Sequence, residues 1–149
     1  MKIKIQKGYV QVEAPKLVEF IGSITTGTKN AKAGAFFPFI FLRDETFTPQ
    51  WLITHELIHF RQQFETLFIG LPILSFVERL YAKFILKKNR MERYVYAALE
   101  QEAYLHMYDE NYLQKRRFGS VYHYIFNKRE FKLIGPGQIE FLDQLHTGI

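Results

Sequence analysis

Between Thr48 and Gly70, Ile53, Leu57, Phe60, Phe64, Leu67 and Phe68 fall on one side of a helical wheel, and His55, His59 and Gln62 fall on the other. At about 100° per residue this predicts an amphipathic helix with an apolar back and a polar front. Thr48 reads as its N-cap and Pro49 as its first helical residue, while Gly70 and Pro72 mark its end, so the helix is placed over 48–69. Earlier in the chain, Ile3 and Ile5, then Tyr9, Val10 and Val12, alternate around Lys7-Gly8 and predict one or two short strands with a turn. Pro15 to Phe20 predicts a short helix, and the Gly-, Thr- and Lys-rich stretch Gly22 to Gly34 a loop. Ala35 to Leu42 is apolar and aromatic and predicts a buried strand, which Pro38 places at a sheet edge. Such an edge could take up an extended peptide by strand addition, or simply cover the helix.

Beyond Gly70 the spacing predicts a second helix over 72–88, mostly buried in a bundle. Its mixture of aromatic and basic residues leaves a second option, contact with a membrane surface through 67–88. A full span is disfavoured, because the apolar run is shorter than the roughly 20 residues required and Glu78, Arg79 and Lys83 would be costly in lipid. Asn89-Arg90-Met91-Glu92 has the form of a capping box and opens a third helix over 90–113. Phe118-Gly119-Ser120 is a break, Val121 to Leu133 is helical or strand, Gly135-Pro136-Gly137 is a turn, and Gln138 to Leu145 reads as a short last helix. The expected class is α+β. One domain over 1–149 is mainly helical, with a small sheet in 1–45 packed on the helix 48–69 and a C-terminal segment over 118–149.

Composition narrows the functional classes. With 48% hydrophobic residues in 149, the chain can bury a substantial core and is not a disordered tail. Cysteine is absent, which excludes disulfides and Cys-ligated metal and is compatible with the cytoplasm. The first residues alternate polar and apolar and lack the apolar core of a signal peptide. The net charge of +5 includes two basic clusters, Lys87-Lys88-Asn89-Arg90 and Lys115-Arg116-Arg117. Both are expected as solvated helix ends, favoured there by the helix dipole, with acidic-membrane contact second and nucleic-acid binding disfavoured.

The polar front of the helix carries the chemistry. His55 and His59, four residues apart, project together and can hold one metal ion. Glu56 sits about a third of a turn round, beside a metal-bound water rather than on the metal. This is the HExxH arrangement of zinc hydrolases, with the carboxylate as general base. The competing reading is two surface histidines. A catalytic zinc needs three protein ligands and an open position. Gln62 and Glu65 stand where a third His would follow on the same helix, and there is no cysteine. The third ligand must therefore come from elsewhere: Glu100 and Glu102 lead, with His106 and His123 behind. Glu100 shares an apolar face with Tyr96, Ala97, Ala103, Tyr104 and Met107, whereas Glu102 shares a more solvent-facing side with His106 and Asp109. A carboxylate on a packed face needs a metal or a cation such as Arg93, which favours Glu100 and keeps Glu102 as the alternative.

His55 to His59 followed by Glu100 on a later helix resembles the gluzincins, the thermolysin-like metallopeptidases, and especially their compact single-domain members, the minigluzincins. In that family the third ligand opens a Glu-x-x-x-Asp or Glu-x-x-Ala-Asp pattern, to which Glu100-Gln101-Glu102-Ala103-Tyr104 is similar. Tyr104 departs from it where the family usually has an Asp that orients a zinc-binding His. The Tyr104 hydroxyl or Glu102 is expected to substitute. Arg61-Gln62-Gln63 also resembles a small bacterial group carrying HExxHxxQQ and a later Glu-x-Glu-Ala-Tyr. The resemblance covers the two metal helices and implies a zincin-like fold, bound Zn2+ and hydrolysis of a peptide or protein substrate with Glu56 as base. Tyr104, His123, Tyr122 and Tyr124 are the candidates to stabilise the oxyanion. A non-catalytic zinc or partner-binding protein on the same scaffold is the alternative.

Overall fold

A computed structural model describes residues 2–25, 29–46, 48–135 and 138–142. The described residues are α+β, with seven helices, a four-stranded sheet and a two-stranded sheet. Strands β1 (Ile3–Gln6) and β2 (Tyr9–Glu13) form an antiparallel hairpin through Lys7-Gly8, where Gly8 takes φ +92°. Helix α1 (Pro15–Thr25) follows, then β3 (Ala33–Phe36) and β4 (Phe39–Leu42). The order is β1-β2-β4-β3, with β4 parallel to β2 and antiparallel to β3. The single strand expected over 35–42 is thus the end of β3, a turn and β4 of a hairpin. Pro38, which cannot donate to a ladder, lies in its turn after a cis peptide bond, and its carbonyl accepts from Val10 N–H at 2.9 Å. The edges are β1 and β3, and β4 is central.

Alternation along these strands decides what each face meets. Ile40 and Leu42 are fully buried and cluster with Ile53 and Phe60 of α2 (Gln50–Glu65). Gly34, one position out of phase, faces α1, where an added Cβ would lie 3.3 Å from Ile21 Cδ1. The sheet is therefore packed on the helix that carries His55 and His59. That helix starts later than expected. Pro49 is the N-cap and makes no side-chain cap, and the Thr48 hydroxyl instead donates to Asp44 C=O at 2.6 Å. It also ends earlier, because Leu67 and Phe68 take φ of +52° and +61° and reverse the chain. This conformation is disfavoured for residues with a Cβ. Phe68 offsets part of that cost by packing on Phe36 and Phe64.

Helix α3 is Gly70–Phe84 rather than 72–88, and it is not mostly buried. It buries Ser75, Glu78 and Ala82 and exposes Ile73, Phe76, Val77, Leu80 and Phe84. Two small residues let α3 approach its neighbours closely, and Glu78 anchors it by accepting from Ala98 N–H at 2.9 Å and pairing with Lys128. Among the described residues no helix is long and apolar enough to cross a membrane.

The helix expected over 90–113 is broken into three. Asn89 and Glu92 form the expected capping box at the start of α4 (Arg90–Tyr96). Ala97 then leaves helical geometry (φ −60°, ψ +133°), and α5 (Ala98–His106) begins. Lys128 Nζ holds Tyr96 C=O at 3.0 Å on one side of this break, and Glu78 holds Ala98 N–H on the other. Helix α6 (Tyr112–Lys115) and α7 (Ser120–Phe126) follow. Strands β5 (Phe131–Gly135) and β6 (Gln138–Phe141) close the described chain as a hairpin. The segment 138–141 is therefore strand, not helix, as its period-two alternation dictates, and Pro136, Gly137 and 143–145 lie outside the described residues.

The Glu78 anchor predicts a large stability cost on deletion. Glu78→Ala strands Lys128 and Ala98 N–H and should destabilise the protein by about 3 kcal/mol, read as a lower urea midpoint. Glu78→Gln, which keeps an acceptor for Ala98 N–H, should lose less.

Candidate metal centre

Helical spacing places His55 and His59 on one face of α2, and α5 brings Glu100 against them. The break at Ala97 puts Glu100 in the first turn of α5, where the helix dipole favours a carboxylate. His55 Nε2 and His59 Nε2 are 3.1 Å apart, and Glu100 Oε2 is 3.4 Å from the first and 3.8 Å from the second. All three ligating atoms lie within 4.8 Å of one another. The cluster is closed, with His55 5%, His59 8% and Glu100 3% exposed.

Two observations fit this cluster to a cation. Glu100 Oε2 is buried without a hydrogen-bond partner although both imidazoles lie close to it. The tautomer of His59 is also fixed. Gln62 Nε2 donates to Leu99 C=O at 3.0 Å and to Glu102 Oε2 at 2.9 Å, two groups that accept only. The Gln62 carbonyl therefore faces His59, whose Nδ1–H donates to it at 2.8 Å. His59 Nε2 is left with its lone pair directed at His55 and Glu100, as a metal ligand requires.

The orienting residue is thus Gln62, which the sequence placed on the histidine face without giving it a role. Behind it stands Glu102. This residue is fully buried, not solvent-facing, and it does not reach the cluster as a ligand. It accepts from Gln62, from the Tyr112 hydroxyl at 2.8 Å and from Arg116. Arg116 also pairs with Glu65, so the expected solvated basic cluster 115–117 contributes a buried cation at its centre. Burial alone would lower the Arg116 pKa, but the two carboxylates outweigh it and raise it.

Tyr104 packs edge-on to His55, ring centroids 5.0 Å apart, and so orients that imidazole by contact; His55 Nδ1 has no hydrogen-bond partner. Tyr94, which the sequence reading did not single out, approaches from α4. Burial raises the pKa of its hydroxyl well above the usual tyrosine value, helped by the nearby charge of Glu100. The cation acting on Glu100 is Arg79 of α3 rather than Arg93. Burial pushes the Glu100 carboxyl up, but His59, His55 and Arg79 prevail and hold it below the ordinary carboxylate value. Glu56 goes the other way. Burial raises it to about 7, with His59 opposing and Glu100 adding to the rise.

The remaining candidates lie elsewhere. His106 stacks on Tyr112 and bonds the Tyr124 hydroxyl at 2.7 Å, Tyr122 donates to Glu65 C=O at 2.9 Å, and His123 contacts Asn127. Two surface pockets flank α2. One is lined by Trp51, Thr54, Met107 and Tyr108, the other by Tyr9, Phe37, Leu57 and Phe64, and neither includes a residue of the cluster. The edge of β3 is partly occupied as well, because Gln63 donates to Ala35 C=O at 3.0 Å and accepts from Phe37 N–H at 2.9 Å. Comparison with protein-family models, curated proteins and solved structures returned no match for this chain.

Two outcomes test this geometry. In metal-free protein, Glu56 has a folded-state pKa above its unfolded value, so its burial costs nothing below about pH 4.5, and stability falls as pH rises from there through about 7. Glu56→Gln should therefore raise the melting temperature in chelator at pH 8 and leave it nearly unchanged at pH 4. Gln62→Leu should weaken metal binding about 10- to 100-fold, measured by chelator competition.

Proposed function

We propose that the chain is a zinc-dependent metallopeptidase of gluzincin type that hydrolyses peptide bonds in a peptide or protein substrate. The observation that supports this reading is the convergence of His55, His59 and Glu100 with Glu56 beside them. With zinc–ligand bonds near 2.0–2.1 Å, the edges of a tetrahedron would be about 3.3 Å, and the separations of 3.1, 3.4 and 3.8 Å are close to that. Two imidazoles and one carboxylate would leave one position open. Zinc bound there supplies a Lewis acid that polarises a carbonyl and lowers the pKa of water.

The protein groups do the rest. His59 is held in its ligating tautomer by Gln62, and the ring of His55 is packed edge-on against Tyr104. Glu56, one residue from His55 on the same helix, is the base that takes a proton from the attacking water and passes it to the leaving amine. Burial raises the pKa of the Tyr104 hydroxyl, with Glu100 and Glu56 adding to the rise, so it stays protonated and serves as the donor to the developing oxyanion. A second reading, a non-catalytic zinc or partner-binding protein, is favoured by two observations: the cluster is closed, and the β3 edge is already partly filled by Gln63.

Elemental analysis and a peptide-library screen separate the two. The expected result is one zinc per chain, lost in His59→Ala and in Glu100→Ala, and kept in Glu102→Ala. Peptide cleavage should fall at least about 100-fold in Glu56→Gln while its zinc stays bound. Zinc without Glu56-dependent cleavage would establish the non-catalytic reading, and a folded, metal-supplemented protein without zinc would remove both.

A further inference from the structure

A helix at the surface of a protein in water turns its apolar stripe to the core. Helix α3 does the reverse. Its inward side carries Ser75, Glu78 and Ala82, and its outward side carries Ile73, Phe76, Val77, Leu80 and Phe84, with Phe76 62% and Phe84 63% exposed. These outward positions follow i, i+3, i+4, i+7 and i+11, so they form one continuous stripe. Leu67 and Ile69 extend it beyond the N-terminal end of the helix, and both are exposed. A monomer in water rarely exposes a contiguous apolar patch of this extent.

The charges around the stripe identify what covers it. Lys83 is exposed beside it with Nζ 4.8 Å from the Phe84 ring centre, and exposed Lys87 and Arg90 follow at the C-terminal end. The only acid between Thr66 and Met91 is Glu78, which is turned inward and paired with Lys128. The outer face is therefore apolar, and the exposed charges that this segment adds to it are cationic. At 1.5 Å per residue, α3 is also about 22 Å long, too short for a hydrocarbon core of about 30 Å, and suited to lying in the plane of an interface. We infer that α3 docks the protein on an anionic lipid bilayer, its apolar stripe in the acyl boundary and Lys83, Lys87 and Arg90 on the headgroups. A second copy of the chain fits less well, because the same face on that copy offers these cations no acid. The inference does not depend on the metal centre.

The test uses the full chain with vesicles of phosphatidylcholine alone and with about a third phosphatidylglycerol, scored by flotation. Binding to the anionic vesicles should exceed binding to neutral ones at least about tenfold and weaken with added salt. Lys83→Glu with Lys87→Glu should remove at least about tenfold of that binding. Phe76→Ser with Phe84→Ser should abolish it with an unchanged circular dichroism spectrum, since both side chains lie outside the core. As a positive reporter, Phe76→Trp should shift its emission to the blue on anionic vesicles only. Failure of the folded wild type to float with anionic vesicles overturns the inference. So does a wild-type dimer in light scattering that becomes monomeric in the double serine variant while neither form binds vesicles.

Discussion

A carboxylate taken out of water must be met by a cation, a set of donors or a proton, and Glu56, Glu65, Glu78, Glu100 and Glu102 are all buried here. The way each is met organises the helical part of the molecule. Glu65 from α2 and Glu102 from α5 share Arg116, which fastens those two helices together and fixes the segment after α6 against them. Glu78 takes Lys128 and thereby joins α3, the α4–α5 break and the chain before β5. Glu56 is met by a raised pKa, and Glu100 by two imidazoles. Glu56 and Glu100, unlike the other three, have no Lys or Arg ion pair at close range among the described residues, and both stand at the His55–His59 cluster.

This division explains how a small chain can hold such a centre in place. The imidazole of His59 is tied through Gln62 to Glu102, and Glu102 is tied to Arg116, so a single chain of hydrogen bonds runs from a candidate ligand to a buried ion pair. Networks of this kind are stable only when every member is satisfied. Gln62 meets that condition, with its carbonyl on His59 and its amide shared by Leu99 and Glu102. Two further glutamines act in a similar way on backbone. Gln63 binds Ala35 and Phe37 of the β3 hairpin, and Gln101 binds both the N–H and the C=O of Arg129. Side-chain amides stand in for strand partners at two places beside the helices.

What could be read from the sequence was what helical periodicity controls. The meeting of His55 with His59 follows from a spacing of four, and the α+β class follows from the change of period between the N-terminal strands and the later helices. The convergence of Glu100 on them was legible because a carboxylate on an apolar face needs a partner. What was illegible depended on residues far away in the chain. Nothing local ends a helix at Ala97, since alanine is a strong helix former; Glu78 and Lys128 end it from outside. Arg116 reads as a surface charge because its partner Glu65 lies 51 residues earlier. The orientation of α3 defeats periodicity outright. Its pattern is amphipathic, but pattern alone does not say which side faces the protein, and the ionic anchor at Glu78 outweighs the apolar stripe in deciding it.

One turn of α3 therefore works as a lever. Phe76 and Val77 point outward and Glu78, the next residue, points inward to hold Ala98 N–H. Ala98 is two residues from Glu100, in the same helical turn. A rotation of α3 about its own axis would act on the first peptide of α5 through the Glu78 side chain. The outer face of α3 and the first turn of α5 are thus joined through one carboxylate, two residues from Glu100.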